Sequence, residues 1–407
     1  MLSLMTAAGW QILRTGSVVP VETDDIPFCK PALVGRELDY VRTAFGQHQV
    51  GVDGPFARRC QEWIAAHIGV PDVLLTTSCT AALEMAVLLA DVGPGDEVIV
   101  PSYTFAACAN AIALRGAVPV FVDLAADEPH VDPAQVAAAV TTRTKAIIVV
   151  HYGGSVCDLA PLLEIAMRHN LVLIEDAAHA FLARRGGRHA ATLGHLGAYS
   201  FDYQKNITAG EAGALVINDA RLVRRAEILH LKGLNRKAFL RGEADQYTWQ
   251  DLGSGFAPSD IVAAVLLGQL ERAVELTESR RRLWARYHAA LEPLEQTGMI
   301  RRPRIPSDVE HNGHIYHLLL PDLAARDAFM AGMRARGIGV QLHFVPLHSS
   351  IPGRRFGRSQ GALANTCALA ERLVRLPLWH GLEREQERVI GAVKAVLRDR
   401  HAGQAGR

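Results

Sequence analysis

The chain has 407 residues, 49% of them hydrophobic, and its 43 basic and 42 acidic side chains leave a formal charge of +1. That length is enough for two globular domains, each burying a core of its own. Near-neutral charge without long runs of one sign argues against a nucleic-acid or membrane partner held by bulk electrostatics, so any anionic ligand must be bound locally.

Residues 1–25 hold no continuous apolar stretch of signal-peptide length, because Arg14 and several polar residues interrupt it, and they read as an irregular extension. No segment reaches the ~18 apolar residues that a membrane span needs. The cysteines, Cys29, Cys60, Cys79, Cys108, Cys157 and Cys367, show neither a CxxC pair nor metal-ligand spacing. They read as reduced, mostly buried thiols of a cytoplasmic protein, and no metal site is expected.

From Val73 to Asp219, β-branched apolar runs (VLL, EVIV, PVFVD, AIIVV, LVLIED) alternate with helix-period segments (TAALEMAVLLA, FAACANAIAL, PAQVAAAV, LAPLLEIAMRH). This pattern predicts an α/β fold with a mostly parallel sheet between helices, in a large domain spanning 26–270. Ligands of such sheets lie beyond the carboxyl ends of the strands. TTSCTAA, PSYTF and the pair Glu175-Asp176 fall there. From 271 to 407 the pattern predicts a smaller C-terminal α+β domain. It holds long amphipathic helices, short strands at HIYHLLL and GIGVQLHF, and helices at DLAARDAFMAGMRARG and REQERVIGAVKAVLRDR.

Lysine is scarce: Lys30, Lys145, Lys205, Lys232, Lys237 and Lys394 are the only ones. Chemistry that needs a deprotonatable amine therefore has few candidates. Lys205, in SFDYQKNITAGEAGA, follows a strand-like run and precedes a glycine-rich turn. It reads either as a solvated loop lysine or as a nucleophile toward an aldehyde. Asp176 closes a hydrophobic strand, as a helix cap or as the partner of a cation such as a protonated ring nitrogen. His179 lies three residues on. TTSCTAALEMA puts small hydroxyl residues before a helix, which is either a well-capped start or a phosphate site, and Ser200 adds a hydroxyl nearby. Phe105 is a core aromatic or a stacking platform for a flat ring. An amine, an acid for a ring nitrogen, a phosphate cradle and an aromatic lid together are what pyridoxal 5'-phosphate requires.

At these residues the chain resembles the PLP-dependent nucleotide-sugar aminotransferases of fold type I, the DegT/StrS type. The resemblance runs from Ile26 to about Arg398 through IPFCKPALVGRELDYV, GVDGPFARRCQEW, LLTTSCTAALEMA, GDEVIVPSYTF, VHYGG, LIEDAAHA, SFDYQKNITAGEAGALVIND, KGLNRKAFLRGEADQYTWQDLGSGF, HFVPLH and RLPLW. TTSCTAALEMA, KGLNRKAFLRG and YTWQDLGS are similar to the subgroup that converts dTDP-4-keto-6-deoxyglucose to dTDP-4-amino-4,6-dideoxygalactose. The resemblance makes Lys205 the lysine that condenses with the cofactor's aldehyde, and Asp176 the partner of the pyridine nitrogen. It puts His179 near the phenolic oxygen, Thr80, the Ala81 amide and Ser200 at the phosphate, and Phe105 on the ring. Asn235 then reaches the phosphate of a neighbouring subunit, which implies a homodimer with active sites at the interface. L-glutamate is the implied amino donor and a keto sugar nucleotide the acceptor. Arg236 and Arg241 are candidates for the diphosphate, His343 and His348 for the sugar.

Two departures stand out. Ala212 replaces a glycine that commonly follows Glu211, which implies strain if that position needs positive φ. Asp202 and Gln204 replace residues that commonly include a hydroxyl beside the lysine. Competing classes fit less well. A PLP-dependent sugar dehydratase would carry histidine in place of Lys205. An NAD-dependent oxidoreductase would need a GxGxxG after a strand, and none is present. A catalytically silent PLP-binding regulator lacks the appended DNA-binding segment such a role suggests.

Overall fold

The computed structural model describes residues 24–126 and 128–405, together with Trp10–Ile12 and Val18–Pro20, which pair antiparallel. The remainder of the expected irregular extension over 1–25 lies outside the described residues. Strands β1 (Asp72–Thr76), β2 (Glu97–Pro101), β3 (Val118–Val122), β4 (Thr144–Val150), β5 (Val172–Asp176), β6 (Leu196–Ser200) and β7 (Gly213–Ile217) belong to one sheet. β8 (Tyr316–Leu319) and β10 (Leu373–Leu376) form a separate antiparallel pair, while β9 (Arg358–Ser359) joins the large sheet. The order across its eight strands is β9-β3-β2-β4-β5-β6-β7-β1. Only β7 runs antiparallel to its neighbours.

The strands read as continuous apolar runs because both faces are covered. Within β2, Val98 and Val100 pack against the helices α1 (Cys79–Leu89) and α2 (Ala106–Ala113), while Ile99 packs on the opposite face with Leu162 of α3 (Ala160–His169). Each side chain of this kind contributes roughly 1.5–3 kcal/mol when fully buried. α1 is apolar nearly all round, as a buried helix must be, and starts where Ser78 Oγ accepts the Ala81 N–H at 3.0 Å.

Beyond α4 (Arg236–Leu240) come two helices, α5 (Asp260–Leu270) and α6 (Ala273–Gln296). α6, α7 (Leu323–Arg334) and α8 (Gln386–Ala405) cover the β8-β10 pair. Leu283, Tyr287, Phe329, Val374, Val389 and Val393 form a core there that is distinct from the sheet's own. The strand expected at GIGVQLHF does not form. Ile338 and Val340 are buried in that core, and the segment makes only single bridges, Ile338 to Ile26 and Gln341 to Arg375. Its apolar alternation reflects burial of one face and not a ladder.

β9 is held at the sheet edge by charge. Arg358 meets the fully buried Glu97 at 2.8 Å, and Thr141 and Arg143 donate to the same carboxylate. These donors, Arg358 first, hold Glu97 down at about 2.

Candidate active site

The strand directions bring four loops to one edge. β1, β2, β5 and β6 all end there, and antiparallel β7 begins there, with Ser200 opposite Gly213 and Gly213 opposite Thr76. Gly213 is required by closeness: a Cβ at that position would lie 2.4 Å from the carbonyl carbon of Ser78. The head of α1 is thereby pressed against the β6-β7 connection that carries Lys205. Ser78 occupies the Ala81 amide, which leaves the first-turn amides of Cys79 and Thr80 without a described partner.

The adjacent carboxylates of β5 part company because successive strand residues face opposite sides. Glu175 turns away and is fully buried, accepting bonds from His151 at 2.8 Å and from the amides of Ala191 and Leu193. Asp176 faces the loops. Its Oδ1 accepts the Ala178 N–H, and its Oδ2 accepts the Cys108 thiol at 3.0 Å.

Lys205, Gln204, His179, His343, Arg280 and Arg375 line one cavity with Phe28, Cys29, His314 and several aliphatic side chains. The Lys205 amine makes no hydrogen bond or ion pair with a described residue. Burial pushes its pKa down, with the Arg375 charge acting the same way and Asp202 and Asp176 opposing. A lysine in such a setting reaches its neutral, nucleophilic form more readily than one in water. Burial likewise holds His179 and His314 neutral, far below the ordinary histidine range, and the Lys205 charge reinforces this for both. The Gly153 N–H donates to His179 Nδ1 at 3.4 Å, so the proton of the neutral ring is assigned to Nε2.

A polar network fixes these parts to one another. Asn206, next to Lys205, accepts from His314 Nδ1 at 2.9 Å and donates to the Asn312 carbonyl at 2.8 Å. Asn312 in turn donates to the carbonyls of His179 and Phe181. Tyr152 Oη lies 3.1 Å from His343 Nδ1.

Residues 31–394 match the DegT/DnrJ/EryC1/StrS aminotransferase family. The chain is 31% identical to the spore coat polysaccharide biosynthesis protein SpsC of Bacillus subtilis (strain 168), over 92% of this chain and 97% of that one. The chain belongs to the DegT/DnrJ/EryC1/StrS aminotransferase family. Among solved structures, the aminotransferase TlmJ from Streptoalloteichus hindustanus superposes with a TM-score of 0.85 at 32% identity, covering 92% of this chain and 99% of that one. The PLP form of the putative sugar aminotransferase Spr1654 from Streptococcus pneumoniae gives 0.83 at 26% identity, covering 92% and 99%.

Enzymes of the DegT/DnrJ/EryC1/StrS family are PLP-dependent transaminases. The donor set fits that cofactor: an unpartnered amine, a buried carboxylate on the same sheet edge, a neutral histidine and a helix start with free amides. Of the residues singled out from the sequence, Lys205, His179 and His343 share the cavity, and Asp176, Thr80, Ala81 and Ser200 lie on the surrounding strand ends and helix head. Phe105 precedes α2 and is 63% exposed, so it is no core aromatic.

The others lie elsewhere. Asn235 precedes α4 and accepts the Thr248 N–H. Arg236 is exposed, and Arg241 is paired with Glu227 and Glu243, which commits its charge to carboxylates. His348 bonds to Ser102 at 2.7 Å and does not line the Lys205 cavity. Positive φ falls on Gly210 and not on Ala212, which is buried just before β7, so the expected strain is absent.

Arg375, Arg280, His314 and Cys108 are site residues to which no motif in the sequence gives a role. Arg375 had a signal, a charged residue inside the apolar run LVRLPL. Arg280 had one too, falling on the helix face of Leu276, Leu283 and Tyr287. A wider groove lined by Val70, His189, His195, Asn218 and Arg221 opens at the opposite strand ends, and its Arg221 is paired with Asp219.

Proposed function

We propose that this aminotransferase moves the amino group of L-glutamate to a nucleotide-linked 4-keto-6-deoxy sugar, dTDP-4-keto-6-deoxyglucose, giving dTDP-4-amino-4,6-dideoxygalactose. The observation that carries the reading is the unpartnered Lys205 amine, lowered by burial, in one cavity with neutral His179. The SpsC and Spr1654 names, a polysaccharide biosynthesis protein and a putative sugar aminotransferase, support the sugar, and TTSCTAALEMA and YTWQDLGS support the dTDP subgroup.

When bound, pyridoxal phosphate supplies an aldehyde that carries the amino group and a ring that withdraws electrons from the bond being broken. Asp176 would hold the ring nitrogen, with its negative charge favouring the protonated form. Thr80, Ser200 and the amides at the head of α1 would hold the phosphate, His179 Nε2–H would donate to the phenolic oxygen, and Phe105 would cover the ring. Lys205 Nζ takes the proton from the donor's α-carbon and, in the second half-reaction, delivers one to the sugar carbon that receives nitrogen. The face from which it delivers sets an axial or equatorial amine.

In this reading residues 26–270 form the cofactor domain and 271–407 the smaller one, in keeping with the separate core of the latter. A second copy completes the site through its Asn235. The exposed Phe105, Leu240, Tyr247 and Trp249 are the apolar surface it would cover. The six free cysteines fit a reducing cytoplasm, and no helix among the described residues is long and apolar enough to cross a membrane.

The test is mass spectrometry of products from dTDP-, UDP- and GDP-keto sugars with L-glutamate, together with sedimentation of the purified protein. Conversion of dTDP-4-keto-6-deoxyglucose to the galacto amine by a dimer is expected. Amination of only a 3-keto sugar, or only of UDP- or GDP-linked sugars, overturns the substrate assignment.

A further inference from the structure

Arg375 stands out among the cavity residues. It is 7% exposed, yet among the described residues no carboxylate pairs with it. Alternation along β10 explains its direction: Val374 and Leu376 enter the core under α6 and α8, so Arg375 and its partner across the ladder, His317, face the other way. The guanidinium lies over the Phe28 ring at 4.7 Å, and Nη2 donates to Gln341 Oε1 at 3.0 Å and to the Leu342 carbonyl at 3.2 Å. Its Nε is buried with no hydrogen-bond partner among the described residues. Arg280, on the same cavity, is also buried without a carboxylate; it donates to the carbonyls of Gly313 and His314, and burial brings it down to about 10.

A buried guanidinium with an unsatisfied N–H is costly unless an anion joins it, and neutral donors would hold the same two acceptors without that cost. Among the described residues that line the cavity, none is acidic. The anion must therefore come with a ligand. Two candidates enter the Lys205 region, the amino donor and the sugar nucleotide. Arg375 is itself buried, and the cavity lining includes the buried Ile315 and Leu378, which suits a small carboxylate better than a diphosphate.

We infer that Arg375 anchors a carboxylate of the amino donor and thereby selects an acidic amino acid, with Arg280 lending a second positive charge to the same cavity. This rests on the reading of the Lys205 cavity as the place of amino exchange.

The experiment follows the loss of the visible cofactor band of the holoenzyme against L-glutamate concentration. Arg375→Gln should raise the half-saturating glutamate by about 10- to 100-fold, the loss expected for a charge-assisted bond. Arg375→Lys should recover part of it, and the exposed control Arg354→Gln should change nothing. The concentration dependence on the keto sugar nucleotide should stay as in wild type. Glutarate, a dicarboxylate without an amine, should raise the melting temperature of wild type and not of Arg375→Gln. An unchanged glutamate dependence in Arg375→Gln, a retained glutarate shift, or a change that falls on the sugar nucleotide instead overturns the assignment. If no donor bleaches the wild-type band, the proposed function falls while the glutarate shift still decides the role of Arg375.

Discussion

Cys108 donates its thiol proton to Asp176 Oδ2 at 3.0 Å, from the first turn of a helix that packs on the same sheet. Burial, and then the Asp176 charge, raise the thiol far above its ordinary range, so it stays a donor. Thr104 Oγ1 lies 3.4 Å from the sulfur. Asp176 thus accepts one backbone and one thiol donor. Cys108→Ala should leave a folded protein that binds pyridoxal phosphate several-fold more weakly, because a weak donor to a buried charge is lost. Asp176→Asn should weaken binding far more, by a factor of about 100 or above, since the charge itself is gone. Absorbance titration of the cofactor-stripped protein measures both, and equal affinities for wild type and Asp176→Asn would refute the placement.

Lys205→Ala should abolish the visible band of the loaded protein and its bleaching by L-glutamate. Retention of donor-dependent bleaching in that variant would move the chemistry to another amine.

Gly213 and Ala212 are adjacent and predict opposite sensitivities. Gly213→Ala drives a Cβ into the backbone of Ser78 and Cys79, so a loss of about 1–3 kcal/mol is expected, together with weaker cofactor binding as the head of α1 shifts. Ala212→Gly removes a buried methyl and adds backbone freedom where no positive φ is needed, for a loss of about 1 kcal/mol. Urea midpoints read both. A stabilised Ala212→Gly would show that the turn does want glycine.

Acid should destabilise the protein earlier than carboxylate titration alone explains. Burial holds His130, His230 and His317 down to about 4, and His179, His314 and His343 well below the ordinary value. Between those values and the unfolded pKa near 6.5, the unfolded chain binds protons that the folded one does not. Stability is therefore complete above about pH 6.5 and falls as pH drops below it, with up to roughly 3 kcal/mol at stake for a histidine held more than two units down. Glu97, held at about 2, adds its own loss only below about pH 4.5. Urea midpoints at pH 8, 7, 6 and 5 test this, and a flat series over that range would contradict it.

Much of this site is written in local pattern. Alternating apolar strands and helices put Asp176, the Ser78 cap and Lys205 at strand ends, where a parallel sheet gathers its loops. What stayed hidden depends on contacts between distant segments. The Glu175-Asp176 pair looks like one acidic feature, and only the pleat sends one carboxylate to structural amides and the other to the loops. GIGVQLHF carries a strand's alternation without a ladder partner. Arg375 sits in an apolar run and Arg280 on an apolar helix face, yet that they share a cavity with Lys205 follows from tertiary packing alone.

The sheet is closed at β3 by β9, which is two residues long and lies far downstream, held by Arg358 on Glu97. During synthesis that edge therefore has no cover until most of the polypeptide has left the ribosome, and the β-branched residues of β3 remain a template for mispairing in the meantime. Substituting Arg358 should accordingly harm the yield of soluble protein from cells more than it harms the equilibrium stability of molecules that have finished folding.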